Sequence, residues 1–486
     1  MKYKAGDRLN IDGEICTVRY VGEICKWPET NAYGVEWDNP TRGKNDGTVD
    51  GVRYFEVSKI RSGSFIKATK LEKEAHIGFS FDRAFAQKYL SPSIETASSA
   101  RMSKPVMTNG LRPLEKVFLD GCSINDEKSC ESALNVIREH CANVTHLDLS
   151  SNLLSTFSQT CQLISEFKNL QYLDLSRNVF TKGWDDLEEF HFPQITGLQV
   201  IGCGLKIDQL AKIFKCFPCL ETLDLSWNDL SPATGKTINF PSTLTELSLS
   251  GNSMNGILPG ISSLQLRSLN LSHNLLRAID IPPFPKLIDL DISHNIIQKW
   301  DTLDLLNQTL TELRSVRING NLFNATGDEV SNFYVAIARL QNIEVLDGSV
   351  LSKATRQEAE LFFMSKVLSG RIEYDKRLPR WTALARKYPI HEEQQANRKS
   401  WLEHLIITVR VVNEEDQNST KCSILTNYSV RYLKTIIAQK LQLGKGSFQL
   451  FFYPAPDARQ TMESDFRQVN YYGICDNTTI YIKRIS

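Results

Sequence analysis

A line of sequence with the form L-x-x-L-x-L-x-x-N/C-x-L recurs nine times between residues 114 and 323, at intervals of 21 to 30 residues. The apolar residues of each line alternate, as they do on a short strand with one face turned inward. No single line can bury its apolar face by itself, so successive lines must stack to form a shared core. The repetition therefore predicts an extended solenoid for this part of the chain.

A small polar residue stands at the turn that ends each line. In a buried turn, an Asn amide or a Cys thiol can satisfy backbone groups of neighbouring coils. The turn residues are Asn152, Asn178, Asn228, Asn252, Asn274, Asn295, Asn321, Cys122 and Cys203. This pattern is typical of a leucine-rich-repeat solenoid, which we assign to residues 111–350. A half-line that begins at Ile343 leads into an expected capping helix over residues 353–368.

The residues between the paired apolar positions are expected to line the concave face of the solenoid. They are Phe118, Asp148, Asp174, Gln199, Asp224, Ser248, Asn270, Asp291, Arg317 and Asp347, a row that is polar and rather acidic. One interpretation is that Asp is merely tolerated at an exposed position of such lines. The other is that the row forms a binding surface for a large folded partner. The sequence leaves both open.

The repeat array separates segments of different composition. Residues 1–70 are rich in Gly, Val, Tyr and Trp and predict a small domain of short strands. Residues 71–110 have no sustained period and predict a connector that contains at most one short helix. Residues 351–402 predict the capping helix and a charged linker, and residues 403–486 predict a separate small domain. The chain is expected to be a multidomain α+β protein, because 486 residues exceed one ordinary core.

Charge and composition exclude several classes of function. Lys plus Arg and Asp plus Glu are equal at 56 each, which argues against a nucleic-acid partner. No apolar run is long enough to span a membrane, and residues 1–10 lack the apolar stretch of a signal peptide. The 11 scattered cysteines indicate reduced thiols. We therefore expect a cytoplasmic protein with no membrane partner.

No arrangement of residues in the sequence indicates catalysis. Cys216 and Cys219 form a single CxxC without a second pair, and residues 234–237 match only the end of a phosphate-binding loop. No Ser/His/Asp or Cys/His set stands out. We predict no catalytic residue, no metal ligand and no bound cofactor, and we interpret the chain as a binding protein rather than an enzyme.

The segment Gly43-Lys44-Asn45-Asp46-Gly47 is the most distinctive stretch of the first domain. Its glycines allow a tight loop, on which Lys44 supplies a cation and Asn45 an amide that both donates and accepts. These groups suit the acidic end of a peptide, the cation for a carboxylate and the amide for the backbone. Aromatic residues for a neighbouring slot are Tyr33, Trp37, Phe55 and Phe65. A glycine-rich turn without a ligand is the alternative.

These elements, together with Gly-Val-Glu-Trp from residue 34 and Gly-Ser-Phe-Ile from residue 63, resemble the CAP-Gly domain over residues 5–68. Members of that family bind the acidic, aromatic-ended tails of α-tubulin and of some microtubule-tip proteins. The resemblance implies that Lys44 and Asn45 engage the terminal carboxylate and backbone of such a tail, and that the four aromatic residues shape its slot. The family commonly has Trp where this chain has Tyr33.

The last domain alternates between strand and helix patterns. Residues 404–412 and 420–426 alternate as strands, and a helix with apolar residues at helical spacing follows Ser429. Further strands are expected from Gln449 and from Thr479. The order resembles a ubiquitin-like β-grasp domain, which we expect to act as a docking module.

The order of CAP-Gly domain, leucine-rich repeats and ubiquitin-like domain resembles the tubulin-specific chaperone E family, or tubulin folding cofactor E family, over essentially the whole chain. The resemblance implies a cytoplasmic, cytoskeleton-associated chaperone that captures α-tubulin. It also implies action with cofactors B, C and D and β-tubulin in assembly and dissociation of the tubulin heterodimer. GTP in that cycle belongs to tubulin, so no nucleotide site is expected here.

Two other functions are compatible with the sequence. The ubiquitin-like domain could dock proteasomal receptors, which would make the chain an adaptor between tubulin and the proteasome. The chain could instead be a structural linker at microtubule ends.

Overall fold

The computed structural model describes residues 1–90, 114–125, 131–185, 187–231, 238–278, 283–323, 329–388, 406–414, 419–441, 443, 448–455 and 458–484. It contains two compact units, Met1–Asn252 and Ser253–Ser486. Across these described ranges, no helix is long and apolar enough to cross a membrane, and no group of three His, Cys, Asp or Glu could hold a metal ion. The stretch 234–237, which matches the end of a phosphate-binding loop, lies outside them.

Short strands separated by glycine-rich turns form the first domain. They are β1 (Arg8–Ile11), β2 (Glu14–Ile24), β3 (Trp27–Trp37), β4 (Thr48–Val49), β5 (Val52–Arg53), β6 (Gly63–Lys67) and, after helix α1 (Ala68–Glu74), β7 (Ala75–His76). The main sheet is antiparallel in the order β6–β3–β2–β1–β7, and β4 and β5 form a separate hairpin. Its core lies on one face of the sheet and includes Leu9, Val18, Val35 and Leu71 of α1.

Folded structure joins the first domain to the solenoid. Strand β7 pairs with β1, and Phe79 then forms a parallel bridge to Ile124 of the first coil. Helix α2 (Phe81–Phe85) follows, and both of its phenylalanines are fully buried. The first domain is therefore attached to the solenoid by strand pairing and by an apolar cap.

This junction differs from the sequence expectation. The sequence predicts a connector over residues 71–110, whereas residues 71–90 are folded. These residues show no sustained period because they belong to several short elements, α1, β7 and α2, rather than to one long helix or strand. Residues 91–110 lie outside the part of the chain that the structure describes.

Parallel strands of three residues each line one face of the solenoid in the first unit. They are β8 (Lys116–Phe118), β9 (His146–Asp148), β10 (Tyr172–Asp174), β11 (Gly197–Gln199), β12 (Thr222–Asp224) and β13 (Glu246–Ser248). The central Val or Leu of each strand is buried, so its neighbours on both sides point outward. Helices α3 (Glu131–His140), α4 (Phe157–Ile164) and α5 (Ile207–Cys216) lie in the connections between strands.

A buried amide closes the turn of each coil, as Asn178 illustrates. Its Oδ1 accepts from the backbone N–H groups of Asn152 and Leu154, both at 3.2 Å. Its Nδ2 donates to the carbonyls of Leu149 at 2.9 Å and Leu175 at 3.0 Å. One side chain thus satisfies backbone groups of its own coil and of the preceding coil, which cannot reach water.

The other turn residues repeat this bonding, with one exception. Amides that bond to two coils are Asn152, Asn228, Asn252, Asn274, Asn295 and Asn321. Cys203 takes part through its thiol, 3.3 Å from the carbonyl of Leu175. Cys122 is half-buried, and its thiol lies 3.5 Å from the carbonyl of Asp120 in its own line, with no bond to a second coil among the described residues. Its line is the first, so no earlier line precedes it.

The second unit continues the repeat pattern and ends it. Its strands are β14 (Ser268–Asn270), β15 (Asp289–Asp291), β16 (Ser315–Arg317) and β17 (Val345–Leu346), which are parallel, and β18 (Ser349–Val350), which turns back antiparallel. Its helices are α6 (Asp301–Thr309), α7 (Glu329–Arg339), α8 (Lys353–Leu368) and α9 (Pro379–Lys387). Helix α8 has the bounds expected for the capping helix. Asp347 does not extend the concave row, because it closes the turn by accepting from the N–H of Ile318 at 2.7 Å.

A five-stranded sheet with one helix forms the last domain. Its elements are β19 (Ile406–Asn413), β20 (Ser419–Leu425), α10 (Val430–Leu441), β21 (Phe448–Ala455), β22 (Ala458–Thr461) and β23 (Thr479–Arg484). The strand order is β20–β19–β23–β21–β22, with β19 and β23 parallel. Apart from β22, which the sequence does not indicate, this is the strand and helix order that the sequence predicts, with strand bounds within two residues of the expected ones.

Replacing Asn178 with Ala is expected to destabilise the first unit by about 3 kcal/mol, because buried backbone groups of two coils lose their partner. Asn178→Cys is expected to cost less, since Cys203 fills the same position in another coil. Urea unfolding followed by circular dichroism measures both changes. Asn169→Ala is the matched control, since that amide is exposed and bonds a single carbonyl. Equal midpoints for the Asn178→Ala and Asn169→Ala variants would contradict the role of the buried amide.

Candidate peptide-binding site

Backbone hydrogen bonds fix the loop at residues 43–47 to the edge of β6. The N–H groups of Lys44 and Asn45 donate to the carbonyl of Gly63 at 2.7 and 3.0 Å. The N–H of Gly63 donates back to the carbonyl of Asn45 at 2.8 Å. The loop is therefore held in one position although Lys44 itself is exposed.

The two glycines that flank the loop are required by close backbone contacts. A Cβ at Gly43 would lie 2.0 Å from the carbonyl oxygen of Arg61. Gly47 has a φ of +88°, and a Cβ there would lie 2.0 Å from the carbonyl oxygen of Phe55. A side chain at either position would push the loop off the sheet.

The three side chains between these glycines have different roles. Asn45 Oδ1 accepts from the N–H of Gly47 at 3.1 Å, which leaves the amide Nδ2 without a partner among the described residues. Asp46 turns back to Thr48, whose N–H donates to its Oδ1 at 3.2 Å. Hydrogen bonding from the side chain of Thr48, and then from its backbone, lowers the pKa of Asp46. Lys44 forms no ion pair within the described ranges. Lys44 and the Asn45 amide are thus available to a ligand, whereas Asp46 shapes the turn.

An aromatic cluster lies beside the loop. Phe55 and Phe65 meet edge to face with ring centroids 5.2 Å apart, and Tyr54 lies 5.6 Å from Phe65. Tyr20 extends the cluster at 5.1 Å from Tyr54. Gly34 of β3 provides the space, since a Cβ there would lie 2.4 Å from a ring carbon of Phe55. Tyr20 and Tyr54 are not among the four aromatic residues expected for the slot. Tyr54 is the neighbour of Phe55, and Tyr20 is paired with Gly34 only through the strand register.

Two of the four aromatic residues expected to shape the slot lie on the other face of the sheet. Tyr33 is fully buried in the core, where its hydroxyl donates to Glu72 Oε1 at 2.7 Å. Trp37 is also in the core, and its Nε1 donates to Ser64 Oγ at 3.1 Å. Over residues 33–37 of β3, residues of odd number face the core and residues of even number face the opposite side. Tyr33 and Trp37 therefore pack in the core behind the sheet rather than beside the loop.

Glu36 anchors the segment that backs the loop. Its Oε1 accepts from the N–H and the hydroxyl of Ser58 at 2.5 and 2.6 Å and from the hydroxyl of Ser62 at 3.2 Å. Its Oε2 accepts from Arg19 Nε at 2.8 Å. Burial by itself raises the pKa of Glu36, but the bonds from Ser58 and the charge of Arg19 outweigh it and hold the pKa below its ordinary value.

Family comparisons match the first domain and parts of the solenoid. The family model of the CAP-Gly domain matches residues 5–71. Models of the leucine-rich repeat match residues 218–237, 243–264 and 265–287.

Relatives align over nearly the whole chain. Protein PAC2 of Saccharomyces cerevisiae is 32% identical over 99% of this chain and 97% of its own length. Tubulin-specific chaperone E of Xenopus laevis and that of Homo sapiens are each 25% identical, over 98% of this chain and 98% of their own lengths.

Solved structures are similar to separate parts of the chain. The carboxy-terminal ubiquitin-like domain of mouse tubulin-specific chaperone E matches 17% of this chain and 88% of that structure, with 10% identity and a TM-score of 0.16. The leucine-rich repeat domain of APL1B matches 49% of this chain and 62% of that structure, with 19% identity and a TM-score of 0.34.

Glu36→Gln is expected to destabilise the first unit by about 2 kcal/mol at neutral pH, because a neutral amide cannot match the donors of Ser58, Ser62 and Arg19 together. Because the pKa of Glu36 in the folded protein lies below its ordinary value of 4.5, the ionised carboxylate stabilises the fold fully above that pH. This stability is lost as the pH falls through the lower pKa of the folded state. The difference in unfolding temperature between wild type and variant should therefore shrink at acid pH. Glu56→Gln, at an exposed position, is the control. A pH-independent difference would contradict this assignment.

Proposed function

This chain belongs to the family that includes yeast protein PAC2 and tubulin-specific chaperone E, and we propose that it is a tubulin folding cofactor that captures α-tubulin. In this proposal it takes part in assembly and dissociation of the α/β-tubulin heterodimer, in the cytoplasm and without catalysis. Cofactors B, C and D, with β-tubulin, would be its further partners. The observation that carries the proposal is the open site around Lys44 in a chain that aligns with PAC2 over 99% of its length.

The proposed tail site combines one charge, one amide and an apolar slot. The ammonium group of Lys44 would pair with the terminal carboxylate of the α-tubulin tail, and Asn45 Nδ2 would donate to a peptide carbonyl. The slot formed by Tyr20, Tyr54, Phe55 and Phe65 would take the terminal aromatic ring. Gly43, Asp46 and Gly47 would act by holding this loop in its position.

The junction between the first domain and the solenoid supports a two-point grip on the client. Asn10 Nδ2 donates to Ser123 Oγ of the first coil at 2.9 Å. Gly78 has a φ of +80°, and a Cβ there would lie 2.1 Å from the carbonyl oxygen of Ser123. The tail site therefore keeps a fixed place on the first unit. The flexible tail of the client would allow both contacts to form at once. Binding of the tail would then raise the effective concentration of the client's folded body at the second contact.

The outward face of β8 to β13 is our candidate for the second point. Asp148, Asp174 and Asp224 each accept from the N–H two residues further on at 2.8 Å, so one carboxylate oxygen of each serves its own turn. Burial raises the pKa of Asp174, and the negative charges of Asp148 and Asp224 raise it further. The hydrogen bonds from Ser176 lower this pKa, but by less. The turn bonds account for the Asp in these three lines. The second carboxylate oxygen of each Asp would contribute to an acidic surface that binds the folded body of the client.

Lys44→Ala combined with Asn45→Ala is expected to weaken α-tubulin binding by about 2 kcal/mol, roughly thirtyfold, because a charge-assisted contact and an amide contact are both lost. Surface plasmon resonance with intact and tail-clipped α-tubulin measures the change. The variant and the wild type should bind the clipped protein equally. Lys4→Ala is the control, at an exposed lysine of the same domain. Equal wild-type affinity for intact and clipped α-tubulin would overturn the tail site.

Gly78→Ala tests the fixed placement of that site. The added methyl group meets the first coil, so the first domain should loosen from the solenoid while its own fold is kept. Affinity for an isolated tail peptide should stay within twofold of wild type, whereas affinity for whole α-tubulin should fall by roughly tenfold. Gly13→Ala, which also has a positive φ but no atom within 4 Å of its Cβ, is the matched control. Equal losses for the two variants would contradict the role of the junction.

A further inference from the structure

One face of the last domain's sheet carries charge of a single sign. Alternation along the strands turns Val409, Val411 and their equivalents toward α10 and every second residue outward. The charged residues at outward positions are Arg410, Lys421, Arg459 and Lys483, and all of them are exposed. Within the described spans of β19 to β23, no outward position holds Asp or Glu.

Two of these cations are directly opposed. Arg410 of β19 and Lys421 of β20 are register partners in the antiparallel pair, an arrangement that destabilises a sheet. Arg410 Nη2 donates to the neutral hydroxyl of Ser419 at 3.1 Å. In the described part of the chain, neither cation is paired with a carboxylate. The sheet therefore keeps an unfavourable charge pair at its surface, and an anionic partner would relieve it.

A third cation is held in place by aromatic rings. The guanidinium of Arg459 lies 3.7 Å from the ring centroid of Phe451 and covers that ring, which is fully buried. Phe451 in turn stacks on Tyr481, with centroids 5.4 Å apart and planes 18° apart. A guanidinium held flat on a ring still has its N–H edge free to bond a carboxylate. Tyr453, 42% exposed, completes the surface.

The helical side of the same domain is covered. Phe333 of α7 packs against Tyr428 and Tyr432 at the start of α10, with ring centroids 5.3 and 5.2 Å apart. Ser349 Oγ and Ser429 Oγ lie 2.9 Å apart beside them. The domain is thus docked on the last coils of its own unit near the start of α10, while Arg410, Lys421 and Arg459 on the outward face stay exposed.

We propose that this outward face, defined by Arg410, Lys421, Arg459, Tyr453 and Tyr481, binds a carboxylate-rich peptide segment. Two adjacent cations at one edge and a ring-supported guanidinium at the other match acidic side chains spaced along an extended peptide that crosses the strands. This face is separate from the proposed tail site at Lys44, which would bind a terminal carboxylate.

A peptide fits this face better than a nucleic acid does. The chain has a net charge of zero, whereas proteins that bind a phosphate backbone present a basic domain or stripe. The ring of Phe451 is closed off by Arg459, so it is not available for base stacking. Lys483 lies near Glu414, whose N–H donates to the carbonyl of Ile482 at 3.2 Å, so we leave Lys483 out of the proposed site.

The test is fluorescence anisotropy of the full-length chain with a labelled oligoglutamate peptide whose carboxy terminus is amidated. Arg410→Glu combined with Lys421→Glu is expected to weaken binding by roughly tenfold or more. This variant keeps like charges opposed, so the stability of the sheet should change little. Lys299→Glu combined with Lys353→Glu makes the same change in net charge at exposed lysines elsewhere in the unit and should leave binding unchanged.

Lys421→Glu alone provides a second, opposite readout. The new carboxylate would face Arg410, so the unfolding temperature should rise while peptide binding falls. Lys44→Ala combined with Asn45→Ala should leave oligoglutamate binding unchanged, so loss of the tail site and loss of this site are distinguishable. Equal binding by the two charge-reversal pairs would overturn the proposal, as would tighter binding of a single-stranded oligonucleotide than of the peptide at the same ionic strength.

Discussion

The buried amide at the turn of each repeat is the interaction on which the rest of this structure depends. Coils of three-residue strands leave turn carbonyls and N–H groups inside the stack, where water cannot reach them. Asn178 shows the solution, since one side chain bonds backbone groups of two coils. The coils therefore stack in register, and the leucines of successive lines share one core. Without these bonds neither the open strand face nor the surface that carries the first domain would exist.

The first domain depends on that stack, and the candidate site depends on the first domain. Strand β7 belongs to its sheet, and three residues later Phe79 pairs with the first coil. The same sheet has a core face that holds Tyr33 and Trp37 and a free face that holds Phe55 and Phe65. Backbone bonds to Gly63 of this sheet help to fix the loop at Lys44. The position of the proposed tail site thus depends on packing on the opposite side of the sheet.

Much of this arrangement could be predicted from local patterns, and the misses have identifiable causes. The repeat lines, the helix at Lys353–Leu368 and the strand order of the last domain follow from periodicity, which is a local property. The placement of Tyr33 on the core face was missed because a one-residue change of register exchanges the faces of a strand. Tyr20 was missed because its neighbour Gly34 lies on another strand. The fold of residues 71–90 was missed because each of its elements is too short to show a period.

The sequence by itself determined the repeat array, the glycine-flanked loop and the three-part order of the chain, since each is written in residue types at regular spacing. Only the tertiary structure decided which aromatic residues face the loop. It also decided that the first domain is attached to the solenoid by strand pairing rather than through a connector, and that Arg410 is opposite Lys421 on the outward face of the last sheet. The physical reason is that a side chain's direction and its non-local partners depend on strand register and on packing between elements, which residue spacing does not encode.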